Sequence, residues 1–570
     1  MRIVLDCETN LAHDKIHVVV TKDIDTGEIK LWKHPSGLIN YLNKATLLIG
    51  QNIIAFDAPV LNRLWKTKIR LNQVYDTLIV SRLLDPSRET GHSLEAWGNT
   101  LGFHKIDYAA VWQWMMDRKE EYRGECFDNP IDSLLNHYCI RDVEVTAKLY
   151  LKLCNEFNEK QFSLESLELE QSVAAIIAQQ ERNGFKLDQI YTQVLLADIK
   201  SKVAGIYERM QQRWPPVTVE RFSDKTGKRL KDSVVTFNPG SRQQIGERLK
   251  ELGWKPKEFT ETGQPKVDET ILANIKIPEA QIIAEYLMLQ KRISQIESWM
   301  EAVGKDGRVH GKVITNGAVT GRMTHSSPNM AQIPNSSSIY GPECRECWTV
   351  EDGNVLVGCD ASGLELRMLA HYMRDEGYVR TVCEGSSKDG TDVHTVNQRA
   401  AGLASRDNAK TFIYAFLYGA GDAKIGSIVG GSARDGTKLK AKFLQQTPAL
   451  AKLIQRVSKQ AAKGWVPGLD GRRIWVRSEH AALNSLLQGA GAIVMKKALV
   501  IFDNKVKANK WPVKYVANVH DEFQLECPKD IAEEVGKAAR MSIIEAGEYF
   551  KLRCPLDGEY KIGRNWRETH

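Results

Sequence analysis

Residues 355–371, Val355-Leu-Val-Gly-Cys-Asp-Ala-Ser-Gly-Leu-Glu-Leu-Arg-Met-Leu-Ala-His371, carry the reading that decides the fold. Val355, Leu356 and Val357 make the short apolar run of a strand buried on both faces. The run ends at Asp360, with Ser362 and Gly363 as turn or cap residues. Leu364–Met373 is predicted as a helix with Leu366, Leu369 and Ala370 on its inner face. A carboxylate closing a buried strand often meets a metal ion or a phosphate, and Asp before Ser-Gly is equally an ordinary turn. A partner for Asp360 elsewhere in the chain would decide between the two.

The chain of 570 residues is too long for one core, and a length prior gives about three to five domains. Its 42% hydrophobic and 26% charged residues are those of a globular protein, and a net charge of +7 permits a polyanionic partner without requiring one. No apolar run approaches the ~18 residues of a membrane span, so no membrane is expected. Met1-Arg-Ile-Val-Leu-Asp-Cys-Glu-Thr9 leads straight into a strand and has no signal or transit character. The ten scattered cysteines fit a reducing compartment. Cys344 and Cys347 form a Cys-x-x-Cys pair, but zinc would need two further ligands that the neighbouring sequence does not offer.

In residues 1–160, the strand Ile3-Val-Leu5 runs into Asp6 and Glu8, two apart and therefore on one face. Two such carboxylates repel unless a cation sits between them, and hard divalent ions prefer oxygen ligands. Leu47–Gly50 reads as a strand, followed by Asn52 and Phe56-Asp57. Ser133–Leu153 reads as a helix that places Tyr138 and Asp142 four apart on one face. Each feature alone is also an exposed strand edge, a loop Asp or a helical Asp. In this order they resemble a proofreading exonuclease of the DnaQ-like (RNase H-like) class. That resemblance implies Asp6, Glu8, Asp57 and Asp142 as ligands of two metal ions about 4 Å apart, with Tyr138 orienting the attacking water.

Leu164–Gln180, Gln189–Trp214 and Ile282–Met300 have long helix-forming patterns, and Ser241 is a plausible N-cap for another helix. Long helices rich in Lys and Arg suit either a lever gripping a duplex by its phosphates or a plain helical linker. Between Trp214 and Phe237, residues 215–236 read as a polar basic loop carrying Arg221, Lys225, Lys228, Arg229 and Lys231.

The partner of Asp360 lies in the second half of the chain. Arg406–Gly419 reads as a helix with Arg406, Lys410, Tyr414 and Tyr418 every four residues. This stripe of two cations and two aromatics suits a nucleotide laid with its triphosphate on the cations. Val513–Val519 alternates as a strand, His520-Asp521-Glu522 forms a turn, and Phe523–Glu526 returns. Asp521 is thereby placed to meet Asp360 across a sheet. His480, Asn484 and Gln488 lie four apart on an otherwise apolar helix. They read as a satisfied core network or as donors aimed at minor-groove acceptors, which sit in nearly the same place on every base pair.

With Asp-Ala-Ser-Gly-Leu-Glu-Leu-Arg (360–367), Arg-Asp-Asn-Ala-Lys-Thr-Phe-Ile-Tyr (406–414), Val-His-Asp-Glu (519–522), Thr320-Gly-Arg322 and His480-Ala-Ala-Leu-Asn484, the whole chain resembles a family A (polymerase I-like) DNA polymerase. It is most similar to the replicative polymerases of T-seven-type podophages. The resemblance implies an α/β multidomain chain, an RNase H-like (DnaQ-like) exonuclease followed by a right-hand polymerase. The expected parts are exonuclease 1–160, helical connector and thumb 161–310, first part of the palm 311–371, fingers 372–483 and second part of the palm 484–570. It implies two magnesium ions at each of two sites, with manganese able to substitute. At the polymerase site Asp360, Asp521 and the Ala361 carbonyl would be the ligands. The incoming dNTP would meet Arg406, Lys410, His394, Tyr414 and Glu365, with Lys410 as general acid and Glu365 crowding the 2′ position of the sugar. Tyr418 and Gly419 would gate the template base, and Arg322, Gln332, His480, Asn484, Gln488 and His520 would contact primer-template DNA.

The family's podophage members carry a long thumb insertion that recruits host thioredoxin, and here only residues 215–236 occupy that gap. Thioredoxin is therefore not an expected partner. A helicase–primase and a single-strand binding protein are, and the protein is expected as a monomer in the cytoplasm of an infected bacterium. Two rivals stand beside this reading. One is a bacterial repair polymerase, against which the compact thumb and the lack of a 5′-nuclease domain count. The other is a polymerase-dead exonuclease or DNA-binding protein, against which Asp360, Asp521, Arg406 and Lys410 count.

Overall fold

The protein, seen here as a computed structural model, is described over residues 1–116, 125–222 and 225–570. Five strands, β1 (Arg2–Thr9), β2 (Ile16–Asp23), β3 (Ile29–Trp32), β4 (Leu47–Gly50) and β5 (Val74–Asp76), form one mixed sheet in the order β3-β2-β1-β4-β5. β1 is antiparallel to β2 and parallel to β4. As the central strand it buries Ile3, Val4 and Leu5 completely, each burial being worth about 1.5–3 kcal/mol. A long helix, α1 (Asp132–Glu159), packs across β1 and β2 and brings its inner face to the end of β1.

Two further helices, α2 (Leu164–Asn183) and α3 (Gln189–Arg213), lead away from this sheet, and α4 (Pro278–Glu301) returns against α3. Their apolar stripes meet, with Ile199, Ile206, Ile283, Leu289 and Ile296 in one core. Ser241 caps the helix Arg242–Glu251 by accepting from the Gln244 amide. The segment expected to be a loop is instead a two-stranded antiparallel hairpin, β6 (Val217–Phe222) and β7 (Arg229–Val235). Both its faces are open to solvent, so no alternation of burial marks it in the sequence. Residues 223 and 224 of that segment lie outside the described residues.

The strand read first is β8 (Asn354–Ala361), and α5 (Leu364–Met373) follows it after a Gly363 held at φ 56°. Leu356 and Val357 are wholly buried because β8 is an inner strand of a four-stranded antiparallel sheet. The other strands are β9 (Lys514–Val519), β10 (Glu522–Pro528) and β11 (Gly558–Gly563), in the order β9-β10-β8-β11. Between β8 and β9 the chain makes a helical excursion that includes α6 (Arg406–Leu417) and α7 (Ala482–Asn509). A last helix, α8 (Ala532–Tyr549), packs on β8, β11 and α7.

Residues 479–509 correct the expectation that no segment is apolar enough to span a membrane. Their mean hydropathy reaches 1.4 over a window of membrane length, but 78% of that window is buried inside the protein, where it forms a core helix. Midway along it sits a buried ion cluster. Lys496 and Arg472 both reach Glu170 of α2, and Arg472 also grips Asp470 through its Nε at 2.9 Å and its Nη2 at 2.6 Å. The cluster joins α2 and α7 to the hairpin Trp465–Trp475.

Candidate functional site

Two acidic centres stand out, each at the end of a strand whose neighbours fix it in place. In the first, Asp6 and Glu8 project from β1 with carboxylate oxygens within 4.8 Å of each other and of the Cys139 Sγ on α1. Asp57 begins the helix Asp57–Leu64 and its Oδ1 accepts from the Cys7 amide at 2.9 Å. Tyr138 and Asp142 come from the inner face of α1. A residue without any motif completes this group: the Lys105 ammonium lies 2.6 Å from Asp142 Oδ2, 3.2 Å from the Tyr138 hydroxyl and 4.9 Å from that ring's centre.

Burial, then mutual repulsion, raises the pKa of Glu8 and Asp57 well above the carboxylate range. Burial also raises that of Asp6, against the opposing charge of Lys105. Asp142 is pushed up to about 7 by burial and by Asp6, again against Lys105. Its Oδ1 is buried with no hydrogen-bond partner. Four carboxylates held too close together, with one unfilled buried acceptor and the Cys139 thiol kept protonated by burial beside them, fit hard divalent cations.

In the second centre, β8 and β10 pair with Asp360 opposite Glu522, and the Ala361 amide donates to the Asp521 carbonyl at 3.0 Å. The connection from β9 to β10 is the two residues His520 and Asp521, with His520 in the left-handed region at φ 56°. Such a turn sets Asp521 beside Asp360 at the floor of a cleft of about 620 Å³, which α4 and Gln332 border. Asp360 is open to solvent at the cleft, yet the protein packed around it and the neighbouring Asp521 push its pKa up to about 7. That of Asp521 is raised as well, chiefly by burial. Here too the donors are carboxylate oxygens, the kind that suit a hard divalent cation.

Glu522, adjacent in sequence, behaves differently. Burial raises its pKa, but His570, Gln524 and Arg345 outweigh this and hold it below the usual range. Its Oε1 accepts from the Trp566 indole at 2.6 Å and from Gln524, and its Oε2 contacts the His570 Nδ1 at 3.0 Å.

Above the second centre, α6 carries its stripe as read from the sequence, but it ends at Leu417, so Tyr418 and Gly419 lie just beyond it. The Tyr414 and Tyr418 rings stack with centres 6.4 Å apart. Arg406 is engaged by Asp392 at 2.9 Å, a partner the sequence did not suggest, whereas Lys410 has no ion pair among the described residues. His394 has a buried Nδ1 without a partner, and burial and Arg406 keep its pKa low.

Glu365 on α5 accepts from Arg322 at 3.0 Å and from the Tyr418 hydroxyl at 2.8 and 2.7 Å, which brings three candidate residues into direct contact. Gly419 sits at φ 72°, and a Cβ there would lie 2.8 Å from the His480 carbonyl oxygen. His480 itself is in a short 3-10 turn, Glu479–Ala481, ahead of α7 rather than on it. Asn484 and Gln488 follow half-buried within the helix. Cys344 and Cys347 are buried with pKa values pushed up to about 12, and no group of possible metal ligands forms around them among the described residues.

The sequence model of the family described as DNA polymerase family A matches residues 218–568. The DNA-directed DNA polymerase of Enterobacteria phage T3 is 35% identical, over an alignment of 713 positions that covers all of both chains. That of Escherichia phage T7 gives the same identity and coverage. Among solved structures, the polymerase domain of Pol1 from M. smegmatis, in a complex with DNA primer-template and dNTP, superposes with a TM-score of 0.79. It is 19% identical and the match covers all of this chain and 96% of that one, a likeness that shows the shared right-hand fold.

Proposed function

The chain belongs to DNA polymerase family A, and on that footing we propose that it copies DNA in a phage-infected bacterium and trims mispaired 3′ ends with its amino-terminal centre. DNA-directed DNA polymerase of the phage T7 type is the activity its relatives support. The observation that carries the reading is the meeting of Asp360 and Asp521 at neighbouring strand ends, with Tyr414 of the Arg406–Lys410–Tyr414 stripe within electrostatic reach of Asp521.

In this reading Asp360, Asp521 and the Ala361 carbonyl would hold two magnesium ions, and Asp6, Glu8, Asp57 and Asp142 two more. Bound there, the ions would lower the pKa of the attacking 3′-hydroxyl or water and neutralise charge on the leaving group. Lys410, without an ion pair among the described residues, and Arg406, released from Asp392, bind the triphosphate, with His394 beside them. Lys410 gives a proton to the departing pyrophosphate. Tyr414 packs on the nucleotide, and Glu365 is held by Arg322 where it crowds a 2′-hydroxyl. Tyr418 leaves Glu365 when the template base enters, turning about Gly419. Arg322, Gln332, His480, Asn484, Gln488 and His520 line the duplex path. At the other centre Tyr138 orients the attacking water.

The alignment with the phage relatives runs over 713 positions against the 570 residues of this chain, and the thumb carries only the 217–235 hairpin. Both support working without thioredoxin; in the same proposal the protein acts as a monomer alongside a helicase–primase and a single-strand binding protein.

Primer extension tests the reading. Wild type should extend a primer in a metal-dependent way and Asp521→Ala should not, while Asp6→Ala with Glu8→Ala should stop single-strand degradation and leave extension. Extension by Asp521→Ala, or degradation by the double variant, would overturn the respective assignment.

A further inference from the structure

Three carboxylates, not two, stand at the cleft floor: Asp360, Asp521 and Glu522. Glu522 pairs directly across from Asp360, so their side chains leave the sheet on the same face. Left free, it would add a third negative charge to a site where two carboxylates already repel. Residues 564–570 are built against this sheet in a way that prevents it. The Trp566 amide donates to the Trp348 carbonyl at 3.0 Å, and the Thr569 hydroxyl donates to Gln524 Oε1 at 3.0 Å. Gly358 has no side chain where a Cβ would meet the Thr569 carbonyl at 2.4 Å. Pinned in this way, the segment delivers the His570 imidazole to Glu522 Oε2, while Trp566 and Gln524 hold Oε1. His570 lines the same cleft as Asp360 and Asp521.

We propose that His570 is a positioning residue of the polymerase centre, holding the Glu522 carboxylate turned away so that divalent ions meet two carboxylates instead of three. The inference rests on the proposed role of Asp360 and Asp521 as ligands. Its physical content is ligand charge count: magnesium at nucleotide sites is held by one or two carboxylates together with the substrate's phosphates. A third carboxylate would tighten the ion before the nucleotide arrives. The structure thus keeps the nucleotide-free centre weak and lets the triphosphate complete it.

The test measures Mn²⁺ binding by electron paramagnetic resonance without nucleotide, in full-length protein carrying Asp6→Ala and Glu8→Ala to silence the other centre. His570→Ala should tighten binding at the polymerase centre about tenfold, the usual scale for groups that orient metal ligands. His570→Asn, whose amide can donate to the same oxygen, should restore the original affinity. Adding Glu522→Gln to His570→Ala should abolish the gain. Asp521→Ala separates the two layers of the argument. If it leaves Mn²⁺ binding unchanged, the ligand assignment fails. If it weakens binding while His570→Ala changes nothing, only the role of His570 fails. Should His570→Ala not fold, Glu522→Gln alone decides: unchanged affinity agrees with a carboxylate turned away, and weakened affinity overturns the proposal.

Discussion

Replacing Lys105 by methionine isolates the electrostatics of the amino-terminal centre. Its ammonium is the cation paired with Asp142, at 2.6 Å, and the two side chains are only 20% and 6% exposed. Removing one partner of a buried pair costs about 3–5 kcal/mol, and the residual exposure of Lys105 places the loss near the lower bound, about 3 kcal/mol. For a unit the size of this sheet and its helices that is a fall in melting temperature of roughly 6–12 °C. The loss has a definite pH dependence. The pKa of Asp142 in the fold, about 7, is raised above its unfolded value. The cost of keeping it ionised is therefore present above pH 7 and fades as the pH falls through 7 towards the unfolded value. Differential scanning calorimetry in chelator should show Lys105→Met melting well below wild type at pH 8 and much closer to it at pH 6. Added Mg²⁺ at pH 8 should restore most of the difference. A melting temperature within one degree of wild type at pH 8, or a deficit as large at pH 6, would refute the account.

Further outcomes follow from the other contacts. Arg472→Met strips Glu170 and Asp470 of their shared partner and should cost about 3–5 kcal/mol in urea unfolding, with extension kinetics near normal in the folded fraction. Gly419→Ala places a Cβ 2.8 Å from the His480 oxygen at φ 72°. The strain of about 1–2 kcal/mol should lower the melting temperature by roughly 2–8 °C and, by displacing Tyr418, slow single-nucleotide incorporation by up to roughly tenfold. Because the Asp360 pKa is about 7, magnesium must displace a proton from it at lower pH. The Mg²⁺ concentration for half-maximal extension should rise by up to about tenfold per unit below pH 7 and level off above it. Chelation by EDTA should abolish both extension and degradation, and Mn²⁺ should restore both.

How much of this was legible in the sequence depends on the range of the contact. The strand, turn and helix around Asp360 follow from a local change of period, 2 to 3.6, and the structure has β8 and α5 at those positions. The β9–β10 turn is local in the same sense. Lys105 was not legible, since it lies between helices with no spacing to any carboxylate it touches. Nor were Trp566 and His570, whose meaning comes only from the sheet they cross. The 217–235 hairpin escaped because neither face is buried, although Val217-Thr-Val219 and Val234-Val235 flanking Thr226-Gly227 are β-branched runs around a turn. That the apolar stretch of α7 reaches membrane length was hidden by Lys496 and Lys497, the first of which is inside the ion cluster.

The four-stranded sheet that carries Asp360 is assembled from distant parts of the chain, and β11 is its last member. During synthesis, β8 leaves the ribosome long before β9, β10 and β11 exist to cover it. At about 5–20 residues per second, the roughly 200 residues that follow Asp360 take ten to forty seconds to make. The amino-terminal sheet, complete with α1, can fold in that time. The newborn protein therefore completes its amino-terminal acidic centre well before the centre around Asp360 exists. A ribosome stalled within the helical excursion would release a chain with no assembled copying centre.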